Sequence, residues 1–412
     1  VSRRCLALVG RLALVAVLTA GCTGSQPTAP PPPLVLTIGV LAPASGPNLA
    51  AGRQALQGAQ LAVELVNNVY PDLPLPLASS AGLRDGAQLQ LASADTGTGA
   101  AGASGRTGQL ISQNRAVALI VADSAEVVSA ASTQAEQAQV PLLDALTSVD
   151  SLIDQNRDWY FRTSPDDRIL AQNAFGLLSQ VQNGGQPVRR VVLLDGSGPA
   201  DAATVGTLKD LLSNGGFDRF ASFQINPAGG APVDLPAKVA NEHPDVMFTV
   251  VSNPSDANAA AALVAQGGNV PLIALGHGMA AFGGSVKVPG VLRVVGWSTA
   301  LAQRNPITRA VAEMYQLRFG SPMSDVAAST FTAALSLAAS IDAADGTTTT
   351  QIRAALRQLW LPATATIMPW NGVRFDSNGQ NTLANGLIEQ QAGTGFKIVY
   401  PRELAEAVLA WK

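Results

Sequence analysis

The chain has 412 residues, a formal net charge of −3, 2 histidines and 2 cysteines. No basic cluster stands ready for nucleic acid, and so few histidines and cysteines argue against a histidine or thiolate metal centre. With 47% apolar and 13% charged residues the main body is too apolar to be disordered, and its length exceeds one ordinary core, so two domains are expected.

The chain opens on Arg3, Arg4 and Arg11 around an apolar run from Leu6 to Ala20, about 15 residues where a spanning helix needs about 20. That is the pattern of a signal peptide. It ends in Leu18-Thr19-Ala20-Gly21-Cys22, which resembles the lipobox of bacterial lipoproteins. The resemblance implies that residues 1–21 are removed and that Cys22, lipidated, becomes the first mature residue. The domain would then be held extracytoplasmically by a lipid anchor on the cell membrane. An ordinary secretory signal with an incidental cysteine is the other reading. Loss of three arginines would take the charge from −3 to −6, and loss of Cys5 would leave no thiol pair. Residues 22–33, with the run TGSQPTAPPPP from Thr23 to Pro33, read as a semi-rigid extended tether.

From Leu34 onward, short apolar runs alternate with helical stretches: Val35–Leu41 then Ala50–Asn67, Leu89–Ala94 then Ala103–Gln113, Val117–Val121 then Ser124–Ala138. This β-α-β-α-β order implies a parallel sheet with right-handed crossovers. After Asp158–Arg162 it restarts with Asp167–Gln180, Arg190–Leu194, Ala202–Gly215, Phe220–Ile225, Leu235–Glu242 and Val246–Val251. Next come Ala257–Gly267, Leu272–Leu275 and Val291–Trp297, then helices Pro306–Phe319, Asp325–Ala344 and Thr350–Leu359, and short strands with Gly turns over Gly372–Val399. The expected fold class is α/β, with two parallel-sheet lobes of the same class.

Gly97-Thr98-Gly99-Ala100-Ala101-Gly102 matches the GxGxxG dinucleotide fingerprint. The strand before it is not the first of its sheet, however, and it alternates apolar and polar residues where a central strand would be continuously apolar. A loop is the expected role, and no cofactor is expected. GxSxG, GxxxxGK[ST] and HExxH are all missing, so hydrolase, NTPase and zinc-protease readings have no anchor.

Val40–Pro47 after the first strand, followed by Gly58–Asn67, resembles the opening of a type I periplasmic solute-binding protein of the branched-chain amino acid-binding kind. Ala135–Pro141 before Leu142-Leu143, Phe161–Asp167, Phe375–Gly379 and Phe396–Tyr400 continue the resemblance in order. It implies two doubly wound, Rossmann-like parallel-sheet lobes joined by a three-crossover hinge: lobe I at 35–161 and 277–384, lobe II at 162–276 and 385–402. Ligand would be trapped between them at the carboxyl ends of the strands, and the lobes would close about the hinge.

Carried over by position, the ligand-binding candidates begin with Ser45 in the first cleft loop. Ser124 and Ala125 stand at a helix start, where Ser124 either holds a ligand acceptor or is a plain N-cap. Thr147 and Ser148 would be ligand-facing hydroxyls or turn residues. Pro199 stands where the family has a tyrosine, and Asp256 lies near the place of an acidic group for a ligand ammonium. His277 faces either the cleft or the hinge surface. Ala51, Ala125 with Glu126, and Pro199-Ala200 depart from the family pattern, which leaves the amino-acid clamp incomplete and favours a bulkier or less polar solute, with Trp159, Trp297 and Trp370 as sources of apolar surface. The resemblance implies a monomeric, non-enzymatic binding protein that passes a small molecule to an ABC permease. The alternatives are a ligand-sensing lipoprotein that signals to a membrane partner, an extracytoplasmic oxidoreductase using the glycine-rich loop, and a cleft that has lost its ligand.

Overall fold

The apolar run after Leu34 forms β1, Val35–Ala42, buried beyond its first residue, with a strand paired on each side of it. There follow α1, Leu49–Asn67; β2, Gln88–Asp95; α2, Ala100–Ser112; β3, Ala118–Val121; α3, Ala125–Ala138; β4, Leu142–Asp144; and β5, Tyr160–Arg162. These strands make an all-parallel sheet in the order β2-β1-β3-β4-β5. The sequence reading left β4 and β5 inside connecting segments, since three buried residues carry no periodicity. The edge strand β2 is only partly buried, in keeping with its alternating sequence.

The computed structural model describes residues 33–196, 198–226, 233–251, 254–266, 270–275, 290–393 and 395–411, and Leu34–Lys412 is one compact unit. Residues 1–32, Cys22 among them, and His277 lie outside the described residues, and with them the expected signal peptide and most of the expected tether.

The second half runs through α4, Asp167–Asn183; β6, Arg190–Asp195; α5, Pro199–Ser213; β7, Arg219–Gln224; α6, Leu235–Asn241; β8, Val246–Val250; α7, Pro254–Gln266; β9, Leu272–Leu275; and β10, Leu292–Val295. After these come α8, Pro306–Phe319; α9, Asp325–Ala343; α10, Thr349–Gln358; the short pair β11, Leu361–Pro362, and β12, Gly372–Val373; then β13, Leu387–Ala392, and β14, Gly395–Tyr400. The second sheet has the order β14-β13-β10-β9-β8-β6-β7, parallel from β7 to β10 and antiparallel where β13 meets β10 and β14.

The chain therefore crosses between sheets three times: after β5, after β10 and before β13. One boundary differs from expectation. The sequence reading returned the chain to the first lobe at 277, but β10 pairs with β9 and β13, so the return comes after Val295. An apolar strand reads the same whichever sheet it joins, which is why the sequence could not place it. At the first crossover the buried Arg162 donates from Nε to Gln380 Oε1 at 2.7 Å and from Nη1 to the Val149 carbonyl at 2.7 Å. Its backbone pairs with Gly379 and Asn381, so the Asp376–Gly379 turn clamps the crossover.

α9 is buried without a break from Ala327 to Ala338, packed on α1 and on β3 and β4. Among the described residues it is the helix long and apolar enough to cross a membrane, but its apolarity is spent on this central packing. The α1–α9 crossing is close enough that a Cβ on Gly58 would lie 2.2 Å from the Ala327 carbonyl oxygen. Gly58→Ala is expected to lower stability by about 1–3 kcal/mol, although alanine is the better helix former by about 1 kcal/mol. A fall in calorimetric melting temperature checks this.

Candidate functional site

The carboxyl ends of the first sheet present four loops. In the β1–α1 loop, the Ser45 hydroxyl and the amides of Ala44 and Gly97 all bond to Asp95, and together they hold its carboxyl below the usual range. Ser45 thus braces its own loop, and a Cβ on Gly97 would collide with its hydroxyl. The GxGxxG segment follows an edge strand and uses Gly97 for this close packing. In the next loop Asp123 accepts from Thr96 Oγ1 and from the Ser124 amide, and burial pushes its carboxyl up. Ser124 is the N-cap residue of α3, yet its hydroxyl makes no cap bond. That hydroxyl is half-buried beside first-turn N–H groups that have no intrahelical acceptor.

The fourth loop is built on Asp144, which is fully buried. It accepts from the amides of Leu146 and Thr147, each at 3.0 Å, from the Thr147 hydroxyl, and from Tyr160 OH at 2.8 Å. Burial first, then Asp144, pushes the Tyr160 phenol well above its ordinary value. Thr147 is itself 0% exposed, so its hydroxyl serves the loop. Ser148 donates to Asp167 Oδ1 at 2.6 Å, and the other oxygen of Asp167 accepts from Thr204 on α5 at 2.7 Å. With the bond from Thr207 to Asp150 at 2.8 Å, this ties the two lobes together.

On the second lobe, Pro199 opens α5, and the preceding Gly198 amide donates to Asp201 at 3.0 Å. Asp256, in the first turn of α7, is 1% exposed and accepts from Asn226, so its carboxylate faces the protein interior. Thr147 and Asp256 are thus internal braces, Ser45 braces an exposed loop, Ser148 reaches the cavity with its hydroxyl on Asp167, and Ser124 is the candidate hydroxyl without a cap bond.

A cavity of about 510 Å³ opens at the crossovers. It is reached from the first sheet through Leu146 and Ser148, and is walled by Ser164-Pro165, Gly296–Thr299 and the head of α9. Of the three tryptophans expected to supply apolar surface, Trp297 lines it. Across β10 and β13, Arg293 stands opposite Glu389 and pairs with it at 2.8 Å, its guanidinium 3.7 Å above the Phe396 ring. Ser298 donates to the other oxygen of Glu389. Asp325, the first residue of α9, also lines the cavity. Its Oδ1 is buried and has no hydrogen-bond partner. Burial, with Glu389 adding to it and Arg293 and Ser329 opposing, pushes its carboxyl up to about 7. Among the described residues no cluster of three or more His, Cys, Asp or Glu is placed to hold a metal ion.

Two doubly wound lobes, three crossovers and a cavity where they meet agree with comparison by sequence: a family model described as periplasmic binding protein matches residues 35–386. The chain belongs to the periplasmic binding protein family. This type I periplasmic binding protein is similar to the leucine-binding protein LivK of Thermotoga maritima, with 18% identity over 88% of this chain and 97% of that one, and a TM-score of 0.71. It is similar too to LivJ of Streptococcus pneumoniae in complex with isoleucine, with 17% identity over 89% and 100% of the chains and a TM-score of 0.68. A Rhodopseudomonas palustris solute-binding protein in complex with benzoate matches at 18% identity over 89% and 95%, with a TM-score of 0.66. At these identities the likeness is one of fold. No curated protein matches by sequence.

Sequence reasoning missed Arg293, Asp325 and Glu389 in this periplasmic binding protein. One signal was present: Asp325 heads a helix that is otherwise uncharged until Asp342, whereas Glu389 is followed by Gln390 and Gln391 and does not stand out.

Proposed function

We propose that the protein is a lipid-anchored extracytoplasmic receptor that captures a small solute between its lobes and delivers it, as a monomer, to an ABC permease. The observation that carries this reading is the roughly 510 Å³ cavity at the crossovers, within the usual range for small-molecule sites, in a chain of the solute-binding family. The structural relatives in complex with isoleucine and benzoate support an amino acid-like or aromatic solute. With Thr147 and Asp256 turned inward, the solute is held differently from the amino-acid clamp of the resemblance, and Ser124 at the head of α3 is the hydroxyl best placed to meet an acceptor group. The anchor is Cys22, supported by the sequence that precedes it, with lobe boundaries at the three crossovers.

The test is a thermal-shift screen of the chain from Leu34 onward against amino acids, aromatic acids, amines, sugars and nucleosides, followed by calorimetric titration of each hit. A solute that binds the folded form raises the melting temperature in a saturable way. A chain that gives no shift with any class, or that turns a solute over, would overturn the reading. Cys22→Ser in the full chain is expected to move the protein from the membrane fraction to the soluble one.

A further inference from the structure

We propose that the hinge cavity is a cation-receiving site in which Asp325 takes the ammonium of a small amine whose apolar body lies on Trp297, Met323 and Val326. The inference rests on the solute-binding reading and names the ligand class. Three observations carry it. Asp325 Oδ1 is buried against the cavity with no partner, and a buried carboxylate oxygen left without a donor is costly. The cation already present, Arg293, is matched by Glu389 and covered by Phe396. Among the described lining residues the charged groups are Arg293, Asp325 and Glu389, so the paired arginine leaves an excess of negative charge.

That balance decides between ligand classes. An anionic solute would meet two carboxylates and an arginine already neutralised. A divalent cation wants six or more oxygens, and one of the two carboxylates here is engaged by Arg293 and Ser298. An ammonium brings three donors in a compact head, and Ser329 and Ser164 stand nearby on the wall. Arg293, the one cation among the described lining residues, is already paired with Glu389 and so is not free for a ligand carboxylate, and an amine without an acid group fits best.

The experiment is calorimetric titration of the chain from Leu34 onward with three ring compounds of equal size: benzylammonium, benzyl alcohol and benzoate. Benzylammonium is expected to bind about tenfold or more tighter than benzyl alcohol, with benzoate weakest, and Asp325→Asn is expected to bring the amine down to the alcohol. In the unmutated chain, amine affinity should rise about tenfold between pH 6 and pH 8 as the carboxyl ionises, while alcohol binding stays flat. Arg293 and Glu389 are the other charged groups facing Asp325, and they are paired with each other. Benzoate binding more tightly than the amine would overturn the inference and leave the solute-binding reading standing. Equal binding of amine and alcohol, a flat pH profile, or failure of the amine to bind would overturn it as well.

Discussion

Replacing Asp144 by alanine is expected to cost about 4 kcal/mol or more of unfolding free energy, among the largest losses any single substitution in this chain should cause. The carboxylate is fully buried and accepts from two amides and two hydroxyls. Alanine removes the acceptor and leaves those donors in a site closed to water, where each orphaned group costs about 1–3 kcal/mol. The costs overlap because Leu146 and Thr147 move together. Tyr160→Phe is the matched control: it takes away one donor, leaves the carboxylate three, and should cost about 1 kcal/mol. Urea unfolding with an unchanged slope would read both. The effect should reach the site, because the loop that Asp144 shapes carries Ser148 to Asp167 and so helps tie the lobes together. Solute affinity is expected to fall with Asp144→Ala and to hold with Tyr160→Phe. If the two variants lose similar stability, Asp144 is not the loop's organiser.

The fold was legible in the sequence wherever burial leaves a period or a run. β1, β3, β6 and β8 are continuous apolar strands between neighbours, and α1 and α4 carry one apolar face, so these elements fell where expected. β4 and β5 did not, because three residues are too few to show a pattern. The lobe assignment of β10 failed for a different reason: partner choice is a tertiary fact that the strand's own residues do not record. Site residues were harder still. Ser45, Thr147 and Asp256 are residue types that either bind ligands or brace loops, and the outcome depends on where the side chain turns. Asp144 and Asn226 are the partners that turn Thr147 and Asp256 inward, and Asp95 ties Ser45 to its own exposed loop. Asp325 was overlooked because a lone aspartate at a helix start reads as an ordinary favourable first-turn charge. Its meaning comes from Arg293 and Glu389, distant in sequence and opposite each other on two strands.

Asp325→Asn should make the ligand-free protein more stable above pH 7. Burial pushes the carboxyl up to about 7 in the folded chain, against 3.8 for an ordinary aspartate. A carboxyl raised on folding contributes stability that is fully present below the unfolded value and is lost as pH rises through the folded one. Wild-type stability should therefore decline from about pH 4 to pH 7 on this account, with Glu389 adding to the penalty and Arg293 relieving part of it. At about 1.4 kcal/mol for each pH unit separating the two values, the loss is at most about 4.5 kcal/mol. The residue's partial exposure makes that an upper bound. Asparagine keeps the shape and cannot ionise, so urea midpoints of the two proteins should nearly coincide at pH 4.5 and separate at pH 8 with the variant ahead. A variant less stable than wild type at pH 8 would mean that the ionised carboxylate is already satisfied. Saturating benzylammonium should narrow the gap by raising the wild type more than the variant, since an amine that neutralises the carboxylate removes the penalty where it arises. A protein that carries such a cost at its hinge when empty gains from the ligand that removes it, and that gain couples capture of the solute to the stability of the two-lobed fold.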